Sequence, residues 1–439
     1  MRTMKAIFSF FKAGQGSFYG GRIWDHETIK VFTVVYDCGT SHFIAGKSQS
    51  LNNEITDFKY RPCCFPCNND EIELLFISHL DYDHVSGLKR LLTEFEVKNI
   101  ILPYIGEEHR KFFLTSMPAD NSPDNNNLSF ADYSSFIDSP HTFIQNNSKN
   151  SGIKVFFVKS DSEPAKEYQG FDKENQSEDM YPNGTPDEKT EEKEFNKQEK
   201  VKVYENNLQF FIKQYWEFTT YSKSVSQNAI DKLHDRLKKI LKKKAHEYLT
   251  PEDIRKIVTD NRKEAHKCYT DCIGEINSHG LVLLHGPIGF KCLYSRIYSD
   301  CELNHLCNDY CCRHFSHGCH NFINKNQKML GTLLFGDTSI NPGNNPLSFP
   351  KAFKDKLVNA HIVQVPHHGS SKNWDFNEFQ ELKIGNSFNR RENRVAAVCN
   401  FGYGNKYGHP SHEVLNDLRS TIFLNTQFSR INIEYDVIY

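Results

Sequence analysis

Six consecutive residues, His79-Leu80-Asp81-Tyr82-Asp83-His84, hold four potential metal ligands. They follow Leu74-Leu75-Phe76-Ile77-Ser78, an apolar run of strand length, and precede Leu88, where helical periodicity begins. A buried strand ending here presents its C-terminal loop to whatever lies beyond the sheet edge. Alternation along the extended part sets His79, Asp81 and Asp83 on one side, and the turn into the helix brings His84 round. Imidazole and carboxylate at this density suit a borderline-to-hard divalent ion such as zinc or manganese. A charged loop after a core strand is the bland alternative, and it has no reason to concentrate four such donors.

Three later segments repeat the pattern of an apolar strand emptying into polar chemistry. Gly331-Thr-Leu-Leu-Phe-Gly336 leads to Asp337, and Ile362-Val-Gln-Val-Pro366 leads to His367-His368-Gly369-Ser370. Val395-Ala-Ala-Val-Cys-Asn400 precedes Phe401-Gly-Tyr-Gly-Asn405-Lys406-Tyr407-Gly408-His409-Pro410. Each motif alone is weak. In this order, after the first cluster, they predict strand ends converging on one metal-bearing cleft.

The elements that must position these residues are legible in part. Residues 6 to 40 read as two or three strands joined at Gly14-Gln15-Gly16-Ser17, a tight turn rather than a phosphate loop, because no Gly-Lys-Ser/Thr follows. Leu88 to Phe95 reads as a short helix and Asn99 to Pro103 as a second core strand. The Asn-, Ser-, Asp- and Pro-rich stretch from about 105 to 155 favours loops, and strand character resumes over 152–158. Residues 161–200 carry 13 acidic and 6 basic side chains with few large apolar ones, so disorder or a mobile insertion is expected. Ser226 to Leu249 is the clearest helix, with Ile230, Leu233, Leu237, Ile240 and Leu241 as its apolar stripe. Its other faces carry Lys232, Arg236, Lys238, Lys239, Lys242, Lys243 and Lys244, and Pro251 opens a further helix.

A chain of 439 residues with 38% apolar and 25% charged residues is a soluble globular protein with polar insertions. A net charge of −2 gives no global case for nucleic acid or membrane, so such a partner needs a local patch, and the 226–249 helix is the candidate. A solvated basic face is the commoner role for such a helix. The start, Met1-Arg-Thr-Met-Lys-Ala-Ile-Phe, reads as a first strand rather than a signal peptide, and no apolar stretch reaches membrane-spanning length. A cytoplasmic protein with mainly reduced thiols is expected, without membrane contact. Cys64 and Cys67 form one weak half-site in a loop with Cys63. Cys301, Cys307, Cys311, Cys312, His317 and Cys319 could build a structural zinc site within a Cys/His-rich insertion at 292–330, against the alternative of buried thiols.

These motifs carry a resemblance. The chain resembles the metallo-β-lactamase superfamily, and within it the hydrolase domain of the DNA-uptake protein ComEC. The first motif of the superfamily is His-x-His-x-Asp-His, and Asp81 here gives the His-x-Asp-x-Asp-His form. The resemblance also takes in Gly14 to Ser17, Tyr36-Asp37-Cys38-Gly39, Asn277-Ser278, Gly336-Asp337, His367 to Ser370 and Asn405 to Pro410. It implies one α/β domain over residues 1–439, a four-layer α-β-β-α sandwich with a metal cleft along one edge. The 105–275 segment is then an insertion that includes the flexible acidic stretch and the basic helix.

It further implies one or two divalent ions, zinc or manganese and also magnesium, held by His79, Asp81, Asp83, His84, Asp337 and His368. Asp337 bridges them if there are two. A middle histidine ligand of the superfamily has no counterpart here except, by position, His141 or His279. Asp81 in place of histidine hardens the site towards manganese or magnesium. Metal-assisted hydrolysis of a nucleic-acid phosphodiester is the activity implied, with Asp83 orienting water. His367, Ser370, Lys406 and His409 contact the phosphate or protonate the leaving oxygen. Asn405, Lys238, Lys239 and Lys242 are further candidates for substrate contact. The rival readings are a small-molecule hydrolase (lactonase, thioesterase or cyclic-nucleotide phosphodiesterase) and a metal-binding scaffold without turnover.

Overall fold

A computed structural model describes residues 2–41, 49–60, 70–115, 128–159, 180–183, 186–192, 198–205, 208–223, 227–244, 247, 249, 251–273, 280–301, 331–343, 347–386, 395–419 and 421–439. The chain opens with three antiparallel strands, β1 (Thr3–Phe10), β2 (Phe18–Asp25) and β3 (Lys30–Cys38), and continues through α1 (Gln49–Tyr60). Then come β4 (Glu71–Phe76), α2 (Tyr82–Val85), α3 (Leu88–Glu94), β5 (Glu96–Pro103), α4 (Glu107–Arg110), α5 (Phe130–Asp138), α6 (Pro140–Asn147) and β6 (Lys154–Lys159). Strands β7 (Met180–Asn183), β8 (Pro186–Glu192), β9 (Gln198–Glu205), β10 (Gln209–Ile212) and β11 (Trp216–Ser222) precede three helices, α7 (Gln227–Ile240), α8 (Pro251–Asp260) and α9 (Arg262–Ile273). The last part runs β12 (Leu281–Pro287), β13 (Cys292–Cys301), β14 (Gly331–Leu334), α10 (Lys351–Leu357), β15 (Ala360–Gln364), α11 (Phe376–Glu381), β16 (Ala396–Asn400), α12 (His412–Leu418), β17 (Ile422–Asn425) and β18 (Ser429–Ile438).

Two sheets result, one of ten strands in the order β13-β18-β1-β2-β3-β4-β5-β6-β9-β8 and one of eight in the order β17-β16-β15-β14-β12-β11-β10-β7. Three buried clusters fix the layering. Phe8, Tyr19, Tyr36, Phe76, Phe210, Trp216, Leu334, Val398 and Tyr435 join the inner faces of both sheets. Leu51, Leu75, Leu88, Leu91, Tyr133, Leu233 and Tyr269 bury the outer face of the ten-stranded sheet under α1, α3, α5, α7 and α9. Leu333, Val363, Phe349, Phe353, Trp374, Phe379 and Val414 do the same for the eight-stranded sheet under α10–α12. The molecule is an α-β-β-α sandwich of mixed α/β class. Strands buried on both faces read as continuous apolar runs, which is why β4, β14, β15 and β16 stand out in the sequence.

Where the sequence reading and the fold part, the causes are local. The 105–155 stretch, expected as loop, forms α4, a 3-10 turn over Lys111–Thr115, α5 and α6 in its described residues. Its turn-forming residues act as caps: the Ser129 side chain accepts from the Asp132 backbone N–H, and Pro140 occupies the first turn of α6. Within the acidic 161–200 stretch, the described residues are β7, β8 and the start of β9, which pairs parallel to β6 and buries Val201 and Val203. Strand-like alternation is legible in the sequence from Val201 onward, and β9 begins three residues before it. Helix α7 stops at Ile240, well short of Leu249. Lys242 turns left-handed (φ 56°), and the Lys243 N–H reaches back to the Lys238 carbonyl at 2.9 Å. This is the αL stop usually taken by glycine, so a lysine there gave no warning.

Candidate metal centre

Parallel pairing of β3 with β4, of β14 with β15 and of β15 with β16 points their C-terminal ends in common directions. The loops after β4, β14 and β15 meet at one edge of the sandwich. Asp83, His84, Asp337 and His368 place ligand atoms within 4.8 Å of one another, and so do His79, Asp81 and Asp83. Asp83 is common to both groups. Asp337 reaches across them, with Oδ1 3.2 Å from His84 Nε2 and 3.6 Å from His368 Nε2, and Oδ2 3.7 Å from His79 Nε2. Asp83 Oδ2 is 3.4 Å from His368 Nε2. All six ligand candidates named from the sequence therefore lie together, Asp83 being the most exposed of them.

The imidazoles are held so that the same atom faces the centre. His368 Nδ1 donates to the Asn400 carbonyl at 2.9 Å, and a carbonyl can only accept. His84 Nδ1 lies 2.8 Å from Asp37 Oδ2 and donates to it. Each proton on Nδ1 leaves a lone pair on Nε2. The Nε2 atoms of His79, His84 and His368 are buried and have no hydrogen-bond partner. Buried ring nitrogens that face two carboxylates from 3.2 to 3.7 Å are what a divalent ion placed among them satisfies. The residues fit such an ion.

Electrostatics agree with geometry. Burial opposes ionisation of Asp337, yet the charges of His367, His368 and His84 hold its carboxyl well below the usual range. Burial would lower His84 and His368, but carboxylates outweigh it and raise both: Asp337 and Asp37 for His84, Asp337 and Asp83 for His368. His79 is pushed down to about 3 by burial and then by the charge of His84. The field of the carboxylates at the centre favours a cation.

Asp37, within Tyr36-Asp37-Cys38-Gly39, and Ser78 are both taken in by the sequence reading, which assigns neither a role at the site. Asp37 is fully buried, and besides His84 it accepts from the Ser78 backbone N–H at 2.6 Å and the Ser78 hydroxyl at 2.7 Å. Burial pushes its carboxyl up against the pull of His84 and Ser78. Its position at the C-terminal end of β3, comparable to Asp337 just past β14, was the available signal. Gly14-Gln15-Gly16-Ser17 is a point of close approach. A Cβ on Gly16 would lie 2.6 Å from the Asp83 carbonyl, and the Ser17 N–H donates to that carbonyl at 3.2 Å. Gln15 Oε1 accepts from the Gly402 N–H, tying the loop after β16 to the same place.

The remaining candidates are placed around this core. His367 Nδ1 contacts Asn373 Oδ1 at 2.9 Å and its Nε2 faces Asp337 Oδ2 at 3.5 Å. His367 and His368 both take left-handed backbone (φ 44° and 54°), a strained arrangement of the kind found where chemistry fixes a side chain. Gly369 continues it (φ 79°), and a Cβ there would meet Pro410 at 2.6 Å. Ser370 is buried in this turn. His409 packs its ring 5.8 Å from that of His367 and is held down to about 4 by burial and by repulsion from His367 and His368. Lys406 is exposed at the loop tip over the Tyr407 ring. Asn405 spends its side chain on its own loop, donating to the Gly402 and His409 carbonyls and accepting from the Tyr407 and His409 N–H groups.

Other candidates sit elsewhere. His141 lies on α6 beside Gln145, apart from the clustered donors. Lys238, Lys239 and Lys242 lie on or just after α7. His279, Cys63, Cys64, Cys67, Cys307, Cys311, Cys312, His317 and Cys319 fall outside the described residues, and Cys301 is the last residue of β13. Among the described residues, Cys38, Cys268, Cys272 and Cys399 are free thiols.

Residues 32–145 match the metallo-beta-lactamase superfamily. The matched span runs from β3 to α6 and contains Asp37, Ser78 and the whole first ligand motif. Asp337 and His368 lie beyond it, brought to the same centre by the second sheet. No curated protein matches the chain. Among the described residues, no helix is long and apolar enough to cross a membrane.

Proposed function

We propose that this chain is a metal-dependent phosphodiesterase acting on nucleic acid. The observation that carries the reading is the convergence of three buried imidazole Nε2 atoms on Asp83 and Asp337, inside a fold and a family match typical of metal-dependent hydrolases. His79, Asp81, Asp83, His84, Asp337 and His368 would hold one or two divalent ions. Such ions supply Lewis acidity and a water acidified towards neutrality. Asp83, whose side chain is 18% exposed, orients water from the open side. His367 faces Asp337 through Nε2 and is placed to carry a proton to the leaving oxygen. Lys406 offers charge at the rim. The His-x-Asp-x-Asp-His motif, similar to that of ComEC's hydrolase domain, supports nucleic acid as substrate, as does the lysine-rich end of α7.

The test is cleavage of bis-p-nitrophenyl phosphate, single-stranded DNA, duplex DNA and RNA with manganese, magnesium or zinc. Asp83→Ala and Asp337→Ala should each lower turnover at least about a hundredfold. Absence of metal-dependent cleavage of every phosphodiester would sink the reading. One observation favours a small-molecule hydrolase instead. Tyr269 on α9 is buried against Phe112 and within electrostatic reach of Asp81, so the helical insertion walls one side of the cleft. Turnover of a lactone, thioester or cyclic nucleotide with no cleavage of oligonucleotides would select that alternative.

A further inference from the structure

The loop after β16 displays two tyrosines that the proposed chemistry does not use. Tyr403 is 68% exposed and Tyr407 is 55% exposed, unusual values for large aromatic side chains beside a buried polar centre. Neither ring is on a loose segment. The Tyr403 N–H donates to Gln427 Oε1 at 2.8 Å and its carbonyl accepts from Gln427 Nε2 at 3.1 Å. The Tyr407 N–H donates to Asn405 Oδ1 at 3.0 Å. Gly404 and Gly408 take left-handed backbone (φ 78° and 73°) in open space, so the turns that expose each ring are built into the chain.

The Tyr407 ring also connects to the ligand cluster. Tyr407 stacks on His409 with centroids 6.0 Å apart and planes at 18°, His409 lies 5.8 Å from His367, and His367 faces Asp337. A file of rings thus runs from solvent to the ligand cluster, with the Lys406 ammonium 5.4 Å from the Tyr407 centroid. Exposed aromatic faces beside a cation are how proteins hold unpaired bases without reading their sequence. A duplex keeps its base faces covered and offers such rings nothing to stack on.

We propose that Tyr403 and Tyr407 form a base-stacking platform that seats single-stranded nucleic acid beside the metal centre, with Lys406 on the neighbouring phosphate. This rests on the phosphodiesterase reading and narrows its substrate to unpaired strands.

The experiment compares wild type with Tyr403→Ala, Tyr407→Ala and Tyr407→Phe. It measures cleavage of an oligothymidylate and of bis-p-nitrophenyl phosphate, and binding of the same oligothymidylate by fluorescence anisotropy in calcium. Each alanine variant should lose about tenfold more kcat/KM on the oligonucleotide than on the small diester, chiefly through KM, and about tenfold in binding. Tyr407→Phe keeps the ring face and should retain most of both. Equal losses on the two substrates, or unchanged oligonucleotide binding, would overturn the platform. If wild type cleaves no phosphodiester but its oligonucleotide binding still depends on Tyr407, the platform stands and the phosphodiesterase reading fails. If oligonucleotide cleavage is robust and indifferent to both tyrosines, the reverse holds.

Discussion

At the scale of single residues, the donors that cluster in the fold were legible because they sit in loops that follow apolar runs. Their orienting partners were not. Asp37 closes β3 much as Asp337 follows β14, yet nothing in the sequence distinguishes a candidate ligand from the carboxylate that positions one. The fold separates them: Asp37 touches Nδ1 of His84 at 2.8 Å, and Asp337 faces Nε2 of the same ring at 3.2 Å. Asp37→Asn keeps the shape and tolerates the left-handed backbone at this position (φ 56°). It replaces a charged acceptor by an amide and weakens the hold on the Nδ1 tautomer. Metal affinity, measured by competition against a chromogenic chelator, should fall by about ten- to a hundredfold, the usual cost of losing such a partner. Unchanged affinity would reduce Asp37 to a packing residue.

At the scale of elements, strand type and strand ends were readable, and helix extent was not. The four two-sided strands announced themselves through unbroken apolar runs. Helix α5 did not, because Ser129 and Asp132 are as typical of turns as of caps, and only the burial of Tyr133, Phe136 and Ile137 behind them decides. The basic helix divides in the same way. Arg236 pairs with Asp271 and Lys243 with Asp253, and the early turns carry exposed Asp231 and Asp235. Lys239 and Lys242 stand exposed where α7 ends, with Lys238 beside them. Reversing these three to glutamate should weaken binding of single-stranded DNA. It should also flatten the dependence of log K on log salt by about 0.7 for each phosphate no longer neutralised. A slope that does not change would return this end of α7 to the role of a solvated face.

At the scale of the whole molecule, the α-β-β-α layering was what the family resemblance implied, but the polar thread through its central layer had no sequence signature. His285 on β12 is buried between the sheets among Phe8, Trp216 and Phe218. The Trp216 indole N–H donates to its Nδ1 at 3.3 Å, so Nε2 carries the proton and donates to the Tyr19 hydroxyl at 2.8 Å. Burial holds His285 down to about 3, against about 6.5 in an unfolded chain. A folded-state pKa below the unfolded one means that the unfolded chain binds the proton more tightly. Stability is fully present above about pH 6.5 and is lost as pH falls from there towards 3. One such group contributes a slope of at most about 1.4 kcal/mol per pH unit in that window. His285→Gln can still accept from Trp216 and donate to Tyr19, and it cannot titrate. Urea unfolding of wild type and variant, both with chelator so that the metal-site histidines titrate alike, should therefore converge in stability as pH drops from 6 to 4. Parallel profiles would mean that water already reaches His285 and that the two sheets are less tightly sealed than their shared core implies.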